Sequence, residues 1–211
     1  MTAGLPKIAP YTLPLDEDLP AGRVTWQIET GRTALLLHDM QNYFVRAFAP
    51  GSPIEPALAN MRAIRDLCDA RDIPVFYTAQ PGGQDRRDRG LQAEFWGPGM
   101  TPDNEQPAIV SGLEPEARHS VLTKWRYSAF QRTTLEHLLR ARKRDQLIIC
   151  GVFAHIGCMT TAVDAFMRDV EPFMVADGVA DFSREKHDLA LTYVAERCGV
   201  VTTTARLLRE L

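Results

Sequence analysis

Three residues far apart in the 211-residue sequence have side chains that could do chemistry together: Asp39, Lys124 and Cys158. Cys158 lies in the stretch CGVFAHIGCMTTAVDA, residues 150–165, where an apolar run gives way to small residues and then to helical spacing. A thiol in a strand-to-helix turn has its pKa lowered by the helix N-terminus, and Asp39 and Lys124 could assist it. That trio would make an amide-cleaving cysteine hydrolase. The plain alternative is that Cys158 is a small apolar residue packing the first helical turn. A second chemistry is acid catalysis by one carboxyl group. At an apolar strand end Asp39 would be poorly solvated, which raises its pKa, while Lys124 would pull it down and bind an anionic substrate. The plain alternative there is a structural salt bridge between the two. Metal binding has less support: His38, His119, His137, His155 and His187 include no i, i+4 pair, and no D-x-H-x-H pattern occurs. His38 and His155 could meet at strand ends; otherwise His38 buttresses Asp39 and His155 bonds a backbone group. Neither a G-x-G-x-x-G nor a G-x-x-x-x-G-K-[ST] cradle is present.

Bringing Asp39, Lys124 and the 153–158 turn together requires strands that end side by side. Short apolar runs at 33–37, 73–78, 120–124, 145–150, 172–176 and 200–202 read as strands. Helical spacing occupies 56–72, 134–143 and 158–168, a segment capped by Ser183 and running to Glu196, and the C-terminus. Residues 84–118 read as irregular, and the alternating charges of Asp85 to Arg89 read as a solvated loop. Strands alternating with helices predict an α/β fold, a parallel sheet covered on both faces, with ligands bound beyond the carboxyl ends of the strands. Residues 1–32, with Pro6, Pro10, Pro14 and Pro20, read as an extended arm pinned by Trp26 and Ile28; residues 33–211 read as one domain.

Bulk composition narrows the function. A net charge of −3 gives no footprint for nucleic acid or an anionic membrane. No apolar run is long enough to span a bilayer, and the N-terminal stretch lacks the apolar core of a secretory signal. Cys68, Cys150, Cys158 and Cys198 are scattered with no C-x-x-C pair, which points to reduced thiols in a cytoplasm.

Six segments in order, LLLHDMQNYF (35–44), YTAQPG (77–82), FWGPGM (95–100), LTKWRYSAF (122–130), GVFAHIGCMTTAVDAF (151–166) and PFMVADGVADFS (172–183), resemble the isochorismatase family over nearly the whole chain. The resemblance implies a three-layer α/β/α fold on a central, mostly parallel six-stranded sheet. In the related cysteine hydrolases the nucleophile takes the seventh position of the turn, which is Gly157 here, so Cys158 falls one residue late. Their metal motif after the second strand is replaced by Ala79-Gln80-Pro81. Glycine at 157 is expected to free space for substrate. The implied reaction protonates the enolpyruvyl ether of isochorismate and releases pyruvate, with neither metal nor cofactor; a 2-amino-2-deoxyisochorismate hydrolase and, further off, a cysteine amidohydrolase are the alternatives. Siderophore and phenazine biosynthesis are the pathways implied. By the same resemblance Asp39 is the general acid and Lys124 its partner. Gln80 and Arg89 bind substrate, Arg89 through a carboxylate; amides near Gly157 receive an anionic group; Phe44 and Trp96 form apolar walls. Phe153 stands where the family usually has Tyr, which removes a hydroxyl. A homodimer is implied. Relatives that carry an aryl carrier domain extend further, so this sequence is expected to hold none and to leave any carrier function to a separate protein.

Overall fold

The computed structural model describes residues 5–103 and 105–211; the first four residues of the expected arm, and Asn104, lie outside the described residues. Six strands form one sheet: β1 (Thr33–His38), β2 (Val75–Ala79), β3 (Ser120–Thr123), β4 (Gln146–Val152), β5 (Glu171–Ala180) and β6 (Val200–Thr202), in the order β3-β2-β1-β4-β5-β6. Every pairing is parallel, so the expected mostly parallel sheet is wholly so. β1 and β4 are buried along their whole lengths, and alternate residues serve opposite faces. Leu35, Leu37, Ile148 and Cys150 enter one core; Ala34, Leu36, Leu147 and Ile149 enter the other. Burying each such leucine or isoleucine is worth about 1.5–3 kcal/mol.

Eight α-helices, α1 (Asn42–Val45), α2 (Ile54–Ala70), α3 (Arg86–Arg89), α4 (Gln92–Trp96), α5 (Leu135–Ala141), α6 (Met159–Phe166), α7 (Arg184–Arg197) and α8 (Thr204–Glu210), accompany the sheet, with a 3-10 turn over Asp16–Asp18. On α2, Ala57, Met61, Ile64 and Cys68 are buried at spacings of four, three and four, one stripe of a helix. That stripe and Leu207 of α8 cover the first face of the sheet; Leu135 and Leu139 of α5, Ala162 of α6 and Leu191 of α7 cover the second. Ser183 caps α7, its hydroxyl accepting from the Lys186 amide at 3.2 Å.

Three sequence expectations change. Residues 84–118 are not wholly irregular: Asp85 accepts from the Arg87 amide at 2.7 Å and starts α3, while Gly90 and Gly97, both at positive φ, end α3 and α4. The helix expected from 158 begins earlier, as a π-helical turn over Ala154–Cys158. β5 runs on to Ala180 through Asp177-Gly178, with a register shift against β4 between Ile149 and Gly151.

Residues 5–32 lie along the body. The Ile8 amide donates to Ala47 O at 2.8 Å, the Ala49 amide returns to Ile8 O at 3.0 Å, and the Glu29 amide donates to Gln146 Oε1 at 2.8 Å. Ile28 is buried and Trp26 packs against the core.

Candidate active site

From β1 the chain moves outward in one direction to β2 and β3, then returns to β4 and moves outward in the other to β5 and β6. The switch falls between β1 and β4. In open parallel sheets a crevice opens at that point beyond the carboxyl ends of the strands. Here it is a cavity into which side chains from the ends of several strands project. Asp39, Gln80, Arg89, Lys124, Phe153 and Gly157 all line it, as do Phe44 and Trp96.

Asp39 directly follows β1 and is 4% exposed. Its φ is +53°, a left-handed conformation that aspartate tolerates better than most residues. The Thr78 hydroxyl donates to Oδ1 at 2.7 Å, Lys124 Nζ to Oδ2 at 2.9 Å and Gln80 Nε2 to Oδ2 at 3.1 Å. Lys124 is itself 2% exposed, and its backbone amide extends the β2–β3 ladder by donating to Ala79 O at 2.9 Å. Of the two opposing pulls on Asp39 that the sequence suggests, the one from Lys124 prevails. Burial does push it up, but the Lys124 charge, with the Thr78 and Lys124 hydrogen bonds, outweighs burial and holds the carboxyl below its ordinary value. Gln41, unforeseen in the sequence, fixes Gln80: its side chain donates to Gln80 O at 2.8 Å and accepts from the Gln80 amide at 2.8 Å.

Arg89 is not solvated as its charge-rich surroundings suggested. It is buried at the cavity, with Nε donating to Gly97 O at 2.6 Å. Gly99 packs flat on the guanidinium: a Cβ there would stand 2.6 Å from Nη1 and 2.7 Å from Cζ. Burial lowers the Arg89 pKa, partly offset by Tyr43 and Tyr127, yet a guanidinium stays charged. Among the described residues no carboxylate pairs with it, so a buried cation faces the cavity unneutralised. That is a site for an anion.

The aromatic wall is larger than the sequence suggested. Phe153 stacks on Phe182 at 4.2 Å and meets Phe44 edge-on at 5.9 Å. Trp96 stacks on Phe182 at 6.2 Å and donates its indole N–H to the Tyr127 hydroxyl at 2.8 Å. Tyr43, Tyr127 and Phe182 line the cavity and were not singled out from sequence. Tyr43 sits on the one-turn helix α1 and the other two on connections, where no periodicity marks them.

The turn after β4 differs from expectation in three ways. The amides of Ile156, Gly157 and Cys158 all donate to Phe153 O, at 3.2, 3.0 and 3.3 Å, so they are not offered to an anion. Gly157 does not leave an open space, because the His38 imidazole fills it. His155 bonds the buried Asp181 rather than a backbone group, Nδ1 donating at 2.7 Å, and it does not meet His38. Cys158 points into the second core, fully buried, and burial raises its thiol well above the ordinary range. A buried, protonated thiol is a poor nucleophile.

A family model described as the isochorismatase domain matches residues 33–206. The chain belongs to the isochorismatase family. It is 53% identical to enterobactin synthase component B of Escherichia coli over 97% of this chain and 72% of that protein. Against an isochorismatase of Bacillus subtilis the identity is 50%, over 98% of this chain and 67% of the relative. Against phenazine biosynthesis protein PhzD of Pseudomonas fluorescens it is 46%, over 95% and 97%. The fold matches a crystal structure of a cysteine hydrolase from Pseudomonas syringae with a TM-score of 0.80 at 24% identity, covering 90% of this chain and 96% of that one. This family member is therefore a hydrolase with the three-layer fold, and none of its described helices is long and apolar enough to cross a membrane.

Proposed function

We propose that this isochorismatase-family chain hydrolyses the enolpyruvyl ether of isochorismate, giving pyruvate and 2,3-dihydroxy-2,3-dihydrobenzoate. One observation carries the reading: a buried carboxyl held by three donors faces the same cavity as an unpaired buried arginine, with no nucleophilic side chain at 157. Asp39 transfers its proton to the terminal methylene carbon, producing an oxocarbenium ion with no covalent link to the protein. Water adds to the neighbouring carbon, the one bonded to the ether oxygen, and its proton returns to Asp39. The hemiketal then collapses, the ether oxygen leaving with the ring as a hydroxyl.

For this role Asp39 must be protonated, although Lys124 favours its ionised form. A dianionic substrate in the cavity supplies the opposing field and raises the Asp39 pKa on binding. Arg89 receives a substrate carboxylate through its paired N–H groups, and Gln80 and Lys124 hold substrate oxygen and the acid. Phe44, Trp96 and Phe153 exclude bulk water until the ion has formed. Phe153 brings no hydroxyl, and the Tyr127 hydroxyl, held by Trp96, is a phenol still available to the cavity.

The likeness to a phenazine biosynthesis protein of similar length supports 2-amino-2-deoxyisochorismate as the alternative substrate, with siderophore or phenazine biosynthesis as the setting. Leu91, Phe95 and Met167, all strongly exposed apolar residues around one surface hollow, support a homodimer. A cytoplasmic location and a separate carrier protein complete the proposal. The test is pyruvate release from each substrate by the wild type, Asp39→Ala and Cys158→Ala. Pyruvate from either substrate, lost in Asp39→Ala and retained in Cys158→Ala, is expected. Absence of pyruvate from both substrates, or loss on removing Cys158, would overturn the reading.

A further inference from the structure

His38 is the last residue of β1, fully buried, and it lines the cavity beside Asp39. Its ring lies between two backbone carbonyls, Val152 O at 3.0 Å from Nδ1 and Tyr127 O at 3.2 Å from Nε2. Burial drives its pKa down to about 4, against the pull of Asp39, so at neutral pH the ring donates one N–H to one of those carbonyls. The charged groups facing it are Asp39, whose Oδ1 is 3.9 Å from Nδ1, and Lys124. The third contact is with Gly157. A Cβ at 157 would fall on Cε1 of the imidazole, 2.8 Å from Nε2 and 3.0 Å from Nδ1. Gly157 does not have a positive φ, so its backbone accepts any residue; the imidazole is what demands glycine there.

His38 thus touches four of the segments that carry the site. It adjoins Asp39 in the chain, meets the loop holding Lys124 and Tyr127, meets the end of β4 ahead of Phe153, and seals against the turn at Gly157. Through Tyr127 it connects to the Trp96 indole. We propose that His38 and Gly157 form one steric device: the imidazole, seated in the slot that any side chain at 157 would need, is a positioning residue for Asp39. The same seat closes the site to a nucleophile at 157, so this cavity is limited to reactions without a covalent intermediate. The inference about Asp39 rests on the acid-catalysis reading above; the inference about the slot does not.

The test is a double-variant cycle with added imidazole. Wild type must first release pyruvate from isochorismate; if it does not, the functional reading fails independently of His38. His38→Ala is expected to lose about 100-fold in kcat, as misplacement of a catalytic group by about 1 Å does, with KM changed far less. Free imidazole should restore kcat saturably in His38→Ala. It should not do so in His38→Ala/Gly157→Ala, whose new methyl group occupies the slot. Imidazole should also raise the thermal midpoint of His38→Ala and not that of the double variant, a readout that needs no turnover. Gly157→Ala with His38 in place should lose activity by itself, which keeps the test decisive if His38→Ala does not fold. Near-wild-type kcat in His38→Ala or in Gly157→Ala would overturn the proposal, as would a folded His38→Ala that imidazole neither stabilises nor restores.

Discussion

Two buried aspartates stand beyond strand ends on either side of the crevice, and their surroundings differ in kind. Asp39, after β1, accepts from three side chains: Thr78, Gln80 and Lys124. Asp181, after β5, is saturated by its own neighbourhood, accepting from the His155 amide at 2.6 Å, the His155 ring at 2.7 Å and the Phe182 amide at 2.7 Å. The Asp181 amide in turn donates to the Tyr11 hydroxyl at 2.8 Å. Asp39 lines the cavity and Asp181 does not. Burial of a carboxylate alone therefore does not mark chemistry. What separates the two is whether the partners are long side chains that leave one face open or local amides that fix a turn.

That contrast can be broken experimentally, beginning with the largest effect. Asp39→Ala should lower kcat about 1,000-fold or more, the upper part of the range for general acid catalysis, read by coupled pyruvate release. Asp181→Ala should leave kcat within about tenfold while costing roughly 3 kcal/mol in urea unfolding, because several buried donors lose their acceptor. An Asp181→Ala variant as dead as Asp39→Ala would erase the distinction.

Lys124→Met probes the pKa balance at Asp39. Removing the charge that opposes burial should raise the Asp39 pKa. The acid then stays protonated to higher pH, so the alkaline limb of the kcat profile should move upward, with kcat about 100-fold lower from lost orientation. An alkaline limb that stays put or moves down would show that Lys124 does not set the acid.

A smaller effect belongs to the buried histidines. His38 and His187 both have pKa values pushed down to about 4, chiefly by burial. His187 accepts from the Tyr11 hydroxyl at 3.0 Å and donates to Ala176 O at 2.9 Å, a neutral ring fully satisfied. With folded values below the ordinary 6.5, the unfolded chain binds more protons in between. Stability should be full above about pH 6.5 and fall as pH drops toward about 4, by several kcal/mol in all. His187→Asn should remove roughly half of that slope; an unchanged slope in urea unfolding between pH 7 and 5 would contradict it. Smallest of all, Cys158→Ala should change kcat by no more than about twofold and stability by about 1 kcal/mol.

The same contrast explains what was legible in the sequence. β1, β4 and the apolar part of β5 are continuous buried runs, so composition alone locates them. The carboxyl-end rule for parallel sheets then places Asp39, Gln80 and Lys124 together. Arg89 was harder to read because α3 is one turn long and its neighbours Arg86 and Arg87 point to solvent. β5 was cut short because Asp177-Gly178 interrupts its apolar run, although the strand continues past a register shift. The direction of the Asp39 pKa depended on a 2.9 Å contact from a residue 85 positions away. The His38–Gly157 fit depends on a ring placed across two strands, which no local pattern encodes.

The central claim is that water attacks the former vinyl carbon after protonation, leaving the ring carbon–oxygen bond intact. Turnover in oxygen-18 water, with pyruvate trapped at once by reduction, tests it in the ring product. A diol with no oxygen-18, beside labelled lactate, is the expected result. Oxygen-18 in the ring hydroxyl would mean displacement at the ring carbon and would contradict protonation of the methylene carbon by Asp39.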